Sequence, residues 1–83
     1  MTEKAAIHDF VQDLLLRNED RTPLVDDGSL LLSGRLQSID TVEIVIFLEE
    51  NFNIDFSQIG FDRDQLDSVD AIYALIQSAA AAR

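Results

Sequence analysis

The sequence predicts an all-α protein, a small four-helix bundle with a long loop between its first and second helices and a short third helix. Two observations support this fold class. Apolar residues recur at spacings of three and four along separate stretches, which is the period of an amphipathic helix, and no stretch alternates as a β-strand does. A chain of 83 residues can bury one modest core. We therefore expect a single domain that spans residues 1–83.

The first helix is expected over residues 3–17, with Thr2 as its N-cap. One side of this stretch carries the apolar residues that would face the core, which are Ile7, Phe10, Val11, Leu14 and Leu15.

A long loop follows from Asn18 to Gln37, because the helical period stops there and Pro23, Gly28 and Gly34 are typical of turns. A loop of about twenty residues is uncommon in a compact domain unless it has a function or is fixed to the core. We expect a short turn of helix and several apolar side chains to fix it: Leu24, Val25 and Leu30 to Leu32.

The second helix runs from about Ser38 to Asn51, and the segment FSQIGFDRDQL, residues 56–66, indicates a brief third one. A fourth helix begins near Asp67 or Ser68, where either side chain is a suitable N-cap. Its alanine-rich end favours continued helix. Its core side would bury Val69, Ile72, Tyr73 and Ile76.

The chain is strongly acidic, with 16 Asp and Glu against 6 Lys and Arg and a net charge of -10. This charge excludes nucleic acid and anionic membranes as partners and favours a basic protein. Alternatively, the charge only keeps a small domain soluble.

Cysteine is absent, so the chain has no disulfide and no thiol of its own for acyl transfer. The N-terminus has no apolar signal segment, and the longest run of large apolar residues, Ile44 to Leu48, is too short to span a membrane. We expect a cytoplasmic monomer.

The second helix carries apolar residues on two sides. One arc would face the core and comprises Thr41, Ile44, Val45, Leu48 and Phe52. Ile39 and Ile46 lie nearly opposite, with Glu43 and Glu50 beside them and Glu49 towards one edge. We interpret this opposite side as a docking surface, where the apolar side chains adhere to a basic partner and the carboxylates steer it. The alternative is a helix that the bundle covers on both sides.

Ser38 stands at the N-terminus of the second helix and allows two interpretations. A serine there commonly caps the helix by accepting a hydrogen bond from a backbone N–H. A helix N-terminus also stabilises an anion, by about 0.3–1 kcal/mol at an exposed site. A phosphodiester attached through Ser38 would therefore be well placed, and it could carry the thiol that the chain lacks.

The segment GRLQSIDTVEIVIFLEENFNIDF, residues 34–56, resembles the acyl carrier protein family. The motif of that family is a glycine, an Asp-Ser-Leu, and a Val-Glu-Leu helix that ends in acidic residues and a phenylalanine. The similarity covers most of the chain, from the first amphipathic helix to the last. The segments SGRLQS, residues 33–38, and FDRDQLDSVDAI, residues 61–72, are similar to the D-alanyl carrier protein branch.

The resemblance implies a bundle of acyl-carrier type in which Ser38 carries 4'-phosphopantetheine, whose thiol holds acyl groups as thioesters. The chain would be a stand-alone carrier and not an enzyme, a role that acyl carriers have in fatty acid biosynthesis and other lipid metabolism. Its partners would be a phosphopantetheinyl transferase, an acyl or aminoacyl ligase, and acyltransferases or synthases with basic docking surfaces. The residues expected to dock them are Gln37, Ile39, Asp40, Glu43, Ile46, Glu49 and Glu50.

Gln37 departs from the family motif, which has an aspartate immediately before the serine. Transferases contact that aspartate, so a dedicated transferase is an alternative to a generic one. A second match to the motif is Asp67-Ser68-Val69, but no Val-Glu pair follows it, and a capping role explains both Asp67 and Ser68.

His8 is the only histidine, and its place beside the buried stripe of the first helix favours a surface role over a catalytic triad. The segment DDGS, residues 26–29, lacks the alternating oxygen ligands and the final glutamate of an EF-hand. No metal site is predicted beyond loose divalent binding by carboxylates.

We expect a small, polar or specialised cargo rather than the growing chain of bulk fatty-acid synthesis. Family carriers of fatty chains part their helices, whereas close-packed aromatic side chains in this region resist opening. These side chains are Phe47, Phe52, Phe56 and Phe61.

Three alternatives to this function stay open. One is a D-alanyl or other aminoacyl or peptidyl carrier protein. A second is an acidic helical interaction module without a prosthetic group, which Gln37 favours. An enzyme acting alone is the third.

Overall fold

The computed structural model describes residues 3–60 and 62–81, and every element in these two ranges is helical. In chain order the elements are α1 (Glu3–Arg17), α2 (Ser38–Phe52), α3 (Phe56–Ile59), a 3-10 turn (Arg63–Leu66) and α4 (Val69–Ala81). The predicted all-α class is therefore confirmed. The predicted count of four bundle helices is not confirmed. Within the described ranges α1, α2 and α4 have 13 to 15 residues, whereas α3 is a single turn of 4 residues.

Helix α1 has the predicted bounds and packs chiefly against α4. Fully burying one Leu, Ile or Val side chain is worth about 1.5–3 kcal/mol, so this interface contributes much of the stability. Its buried residues are Ile7, Val11, Leu14 and Leu15 from α1 and Val69, Ile72, Leu75, Ile76 and Ala79 from α4. Phe10 and Tyr73, which were predicted to be buried, are half-buried.

Two predicted features of the fold, the N-cap Thr2 and the aromatic Phe61, lie outside the described residues. Within the described residues, no helix has both the length and the apolar character that crossing a membrane requires.

Helix α2 contributes Ile44 and Leu48 to the core, as predicted. The remaining residues of its predicted core arc are half-buried: Thr41, Val45 and Phe52. The helix ends at Asn53, whose φ of 55° and ψ of 46° lie in the left-handed region that asparagine tolerates. Because only a narrow side of α2 enters the core, its opposite side faces outward.

Apolar side chains fix the long loop between α1 and α2 to the core. Those that do so are Leu30 and Leu36, which are buried, and Leu24 and Leu31, which are half-buried. Val25 and Leu32 were predicted to join them, but both are exposed. The expected turn of helix is a hydrogen-bonded turn over residues 31–34, in which the N–H of Gly34 donates to the carbonyl of Leu31 at 3.1 Å.

A carboxylate anchors the middle of the loop to the start of α4. Asp67 Oδ1 accepts hydrogen bonds from the Ser29 hydroxyl at 3.0 Å and from the N–H groups of Leu31 at 2.8 Å and Leu32 at 3.0 Å. Asp67 was predicted to cap α4, and this contact to the loop corrects that role.

An ion pair joins the beginning of the loop to its end. Arg35 Nε donates to Asp20 Oδ2 at 2.8 Å, and Arg35 Nη2 donates to the carbonyl of Thr22 at 2.7 Å. The Arg35 guanidinium and the N–H of Thr22 lower the pKa of the Asp20 carboxyl to about 2. This ion pair therefore fixes the position of the segment that precedes Ser38 and leads into α2.

Candidate functional site

Ser38 is the first residue of α2, and its side chain is exposed. The N-cap position belongs to Gln37, which is also exposed and has extended backbone angles, with φ -110° and ψ 174°. The interpretation of Ser38 as the capping residue is therefore wrong. The Ser38 carbonyl accepts a hydrogen bond from the Thr41 hydroxyl at 2.6 Å, whereas no hydrogen bond joins the Ser38 hydroxyl to another described residue. This hydroxyl stands where the helix dipole favours an anion.

A buried carboxylate fixes the backbone beside Ser38. Asp40 is 6% exposed, and its Oδ2 accepts hydrogen bonds from the backbone N–H of Gln37 at 2.9 Å and from the side-chain amide of Asn18 at 3.2 Å. Asn18 follows α1 directly, and its own N–H donates to the carbonyl of Leu14 at 3.2 Å. Asp40 was predicted to dock partners, but its carboxylate is directed to the chain itself. Through this contact the end of α1 sets the position of the N-terminus of α2.

The outer side of α2 carries an exposed apolar stripe. Ile39 and Ile46, from which this stripe was predicted, are 70% and 47% exposed, and Val42 between them is 53% exposed. Val42 was not predicted, although its spacing of three and four residues from the two isoleucines already places it in line with them. We call Ile39, Val42 and Ile46 the apolar stripe. Because the described chain leaves it open, the alternative that the bundle covers α2 on both sides is wrong.

The carboxylates beside the apolar stripe differ in their partners. Glu43 forms an ion pair with Arg17 of α1, in which Nη1 lies 3.4 Å from Oε1 and Nη2 lies 3.4 Å from Oε2. Glu49 Oε2 accepts a hydrogen bond from the N–H of Phe56 at 3.3 Å and so joins α2 to the start of α3. Glu50 is exposed. The docking role of all three stays a prediction.

The second match to the serine motif has a structural role, as expected for Ser68. Its hydroxyl accepts a hydrogen bond from the N–H of Ala71 at 3.0 Å and caps α4. Its neighbour Asp67 holds the loop. Partial burial acts to raise the pKa of the Asp67 carboxyl, but the N–H groups of the loop and the Ser29 hydroxyl outweigh burial, so its pKa is lowered. Ser38, and not Ser68, keeps its hydroxyl unengaged.

The remaining polar cluster joins α1, the loop and α4. Lys4 Nζ lies 2.6 Å from Asp70 Oδ1 and 3.7 Å from Asp26 Oδ2, and the contact with Asp70 is the main reason that the pKa of Lys4 is raised. His8 Nδ1 lies 2.8 Å from Asp26 Oδ1. Across residues 3–60 and 62–81, no three His, Cys, Asp or Glu side chains converge closely enough to hold a metal ion. The cluster braces the fold.

Two curated proteins are similar to nearly the whole chain. The D-alanyl carrier protein of Streptococcus suis (strain 98HAH33) is 33% identical over 72 residues, which are 87% of this chain and 87% of that protein. The D-alanyl carrier protein of Lacticaseibacillus casei (strain BL23) is 30% identical over 76 residues, which are 92% of this chain and 91% of that protein. No family model matches the chain. No solved structure matches it either.

These matches are not confined to the residues around Ser38. Each covers close to nine tenths of the chain, so it includes the loop between α1 and α2 and the whole of α2 as well as Ser38 and its neighbours. Both relatives are carrier proteins, and the predicted likeness to their branch is confirmed. This chain is therefore a carrier protein that belongs to the acyl carrier protein family, in the branch of the D-alanyl carrier proteins.

Proposed function

We propose that Ser38 Oγ holds a 4'-phosphopantetheine arm, and that the thiol of this arm carries a small carboxylic acid as a thioester to partner enzymes. The observation that supports this best is the exposed, unengaged hydroxyl of Ser38 at the N-terminus of α2. A phosphodiester on this oxygen would lie beside the backbone N–H groups of the first helical turn. The chain would catalyse nothing, and because it has no cysteine, no thiol of its own would compete for the cargo.

The names of the two relatives favour D-alanine as the cargo. An amino acid held through its carboxylate keeps a charged ammonium group, which is costly to bury in an apolar core. Such a cargo would stay at the end of the arm in water and would need no cavity in the bundle. Another amino acid or a short acyl group would be carried by the same chemistry, so loading assays with a series of acids decide between them.

The partners of this carrier would be a phosphopantetheinyl transferase, a ligase that loads the arm, and an enzyme that accepts the cargo. We propose that they dock on the apolar stripe beside Ser38, with Glu50 as a steering carboxylate. Exposed apolar side chains in line with each other supply contact area. The net charge of -10 would speed the encounter with a basic enzyme surface.

Replacing Ser38 tests the attachment site. Incubation with a phosphopantetheinyl transferase and coenzyme A should add the mass of one phosphopantetheine to the parent protein and none to Ser38→Ala. Because the Ser38 hydroxyl caps nothing, Ser38→Ala should keep the circular dichroism spectrum and unfolding midpoint of the parent. The matched control is Ser68→Ala, which should lose about 1 kcal/mol of stability with its N-cap but still gain the arm. Modification of Ser38→Ala, or loss of modification in folded Ser68→Ala, would refute the assignment.

A second candidate function is an acidic interaction module without a prosthetic group, and Gln37 favours it. A neutral glutamine stands where the family has an aspartate that transferases contact. The intact mass of the protein purified from its native cell separates the two functions. A mass equal to that of the bare chain in all growth conditions would favour the interaction module, and an added arm would exclude it.

A further inference from the structure

A groove runs between α1 and α2 beside the apolar stripe. It consists of a depression of about 250 Å³ between the two helices and an adjoining depression of about 470 Å³ on α1 alone, and both have Phe10 and Arg17 in their walls. The larger one also touches Asp13 and Leu16. The smaller one is completed by residues of α2, namely Glu43, Ile46, Phe47, Glu50 and Asn51. Helix α1 packs chiefly against α4 and meets α2 through the Phe10–Phe47 stack and the Arg17–Glu43 ion pair, beside which the smaller depression lies.

The walls of the groove include an exposed apolar contact area. The rings of Phe10 and Phe47 stack with their centroids 4.1 Å apart and an angle of 17° between their planes, and both are only half-buried. Leu16 on α1 is 49% exposed and Ile46 on α2 is 47% exposed. Because Ile46 also belongs to the apolar stripe, the groove continues the docking surface from α2 onto α1.

The charges around the groove indicate the kind of partner that it fits. Three carboxylates line it, those of Asp13, Glu43 and Glu50, against the single cation of Arg17. Each of the two Glu43 oxygens faces one terminal nitrogen of the Arg17 guanidinium at 3.4 Å. This paired geometry is the one in which a guanidinium binds a carboxylate. Both side chains are exposed, and exposed ion pairs are weak enough to exchange with an incoming cation.

We propose that the groove receives an amphipathic helix of a partner protein that presents an apolar side chain to Phe10 and Phe47 and an arginine to Glu43. The partner's guanidinium would replace Arg17, so that Arg17 competes from within the chain for the site of the partner. This inference rests on the proposed docking of partners through α2 and extends it to α1. It requires no arm on Ser38.

The test uses the unmodified full-length protein and a designed helical peptide with three leucines on one face and arginines beside them. Titration into 15N-labelled protein should shift the amide resonances of Phe10, Leu16 and Phe47. In Arg17→Gln the peptide should bind roughly two- to fivefold more tightly, because the competing cation is gone. The matched control is Arg21→Gln, which removes the same charge from an exposed loop position and should change the affinity less.

A second variant tests the apolar contribution. Leu16→Ser removes an exposed apolar side chain, so it should keep the fold and weaken peptide binding roughly three- to tenfold. The inference is overturned if the peptide fails to bind, if its shifts are confined to Ile39 and Val42, or if Arg17→Gln and Arg21→Gln change the affinity equally. Concentration-dependent shifts of the groove without peptide would assign it to a second copy of the chain and also overturn the inference. The mass gained at Ser38 is measured separately, so failure here leaves the carrier function standing.

Discussion

The side chains of Ser38 and Asp40 have different roles at the N-terminus of α2. The N-cap position is held by Gln37, although glutamine is a weaker N-cap than serine or aspartate. The Asp40 carboxylate fixes this residue, since it accepts from the N–H of Gln37 as in a capping box. The Ser38 hydroxyl is therefore not needed for the helix and stays available for the proposed attachment of the arm.

Replacing Asp40 should destabilise the protein although it leaves every apolar core residue in place. Asp40→Ala removes the acceptor for Gln37 and leaves the Asn18 amide without its partner, which we expect to cost about 1–2 kcal/mol. Urea unfolding followed by circular dichroism measures this change. The matched control is Asp9→Ala, which removes the same charge from an exposed position of α1 and should change stability by less than about 0.5 kcal/mol. Equal losses of unfolding free energy in the two variants would show that the hydrogen bonds of Asp40 do not stabilise the fold.

The sequence singles out Ser38 as the candidate attachment residue but does not reveal which side chains fix the backbone beside it. Ser38 stood out because a serine, a glycine four residues earlier and an acidic helix occur together. The burial of Asp40 was missed because its partner Asn18 is 22 residues away, and no local period reports a contact over that distance. Because serine is strongly preferred at N-caps, the sequence also suggested that Ser38 caps α2.

At the scale of elements, the long helices were predicted with their bounds, whereas for the segment of residues 56–66 helical structure was predicted but not its division into α3 and a 3-10 turn. The bounds of α1 agree with the prediction and those of α2 differ by one residue, because each carries a buried side over several turns. Helix α3 is a single turn, which is too short to show a period. In the loop, the sequence marks leucines as apolar but does not tell that Leu36 is buried and Leu32 exposed.

The ion pair that braces the loop should make stability depend on pH in the acid range. Arg35, together with the N–H of Thr22, lowers the pKa of Asp20 from its usual 3.8 to about 2. Since the folded-state pKa is depressed, this contribution is fully present above about pH 4 and is lost as pH falls towards about 2. In Arg35→Gln the pKa of Asp20 should return towards its usual value, and the difference in unfolding free energy from the parent should shrink over that window.

Urea unfolding at several pH values between about 5 and about 2 measures this dependence, because the contribution of ionised Asp20 to stability is lost within that range. The control is Arg21→Gln, whose arginine is exposed and whose difference from the parent should vary less with pH. A difference between the parent and Arg35→Gln that stays constant down to the lowest pH would remove the ion pair as its cause.

At the scale of the whole molecule, the acidic charge should set the rate at which partners arrive. Glu50→Lys should slow transfer of the arm to Ser38 roughly two- to tenfold at low salt and should make the rate less sensitive to salt, because steering by exposed charge is screened beyond about 10 Å at 0.1 M. The rate with a phosphopantetheinyl transferase, measured over a salt series, reports both effects. The control is Asp9→Lys on α1, which makes the same change in net charge. An equal effect of the two variants would assign steering to net charge and not to the side of α2.

The packing of the whole molecule bears on the size of the cargo. The core is one continuous cluster to which α1, α2, the loop, the start of α3 and α4 all contribute, and Phe56 is buried within it. Phe47 stacks on Phe10 and meets the edge of Phe52 at 6.0 Å, so aromatic contacts also join α2 to α1. A long acyl chain could enter only by parting these elements, whereas an aminoacyl group on the arm would leave them undisturbed.

Loading the arm with acids of different length tests this expectation. Protein that carries D-alanine or an acetyl group should unfold at the same temperature as protein with the bare arm, and its core amide resonances should not move. An octanoyl group should likewise fail to stabilise the fold, because it could enter a close-packed core only by parting the helices. The amides to follow are those of Leu48, Phe52 and Ile72, with the exposed Glu19 as an internal reference. If the octanoyl form unfolds at a higher temperature and shifts the three core amides, the bundle opens to shelter acyl chains, and the small-cargo expectation is wrong.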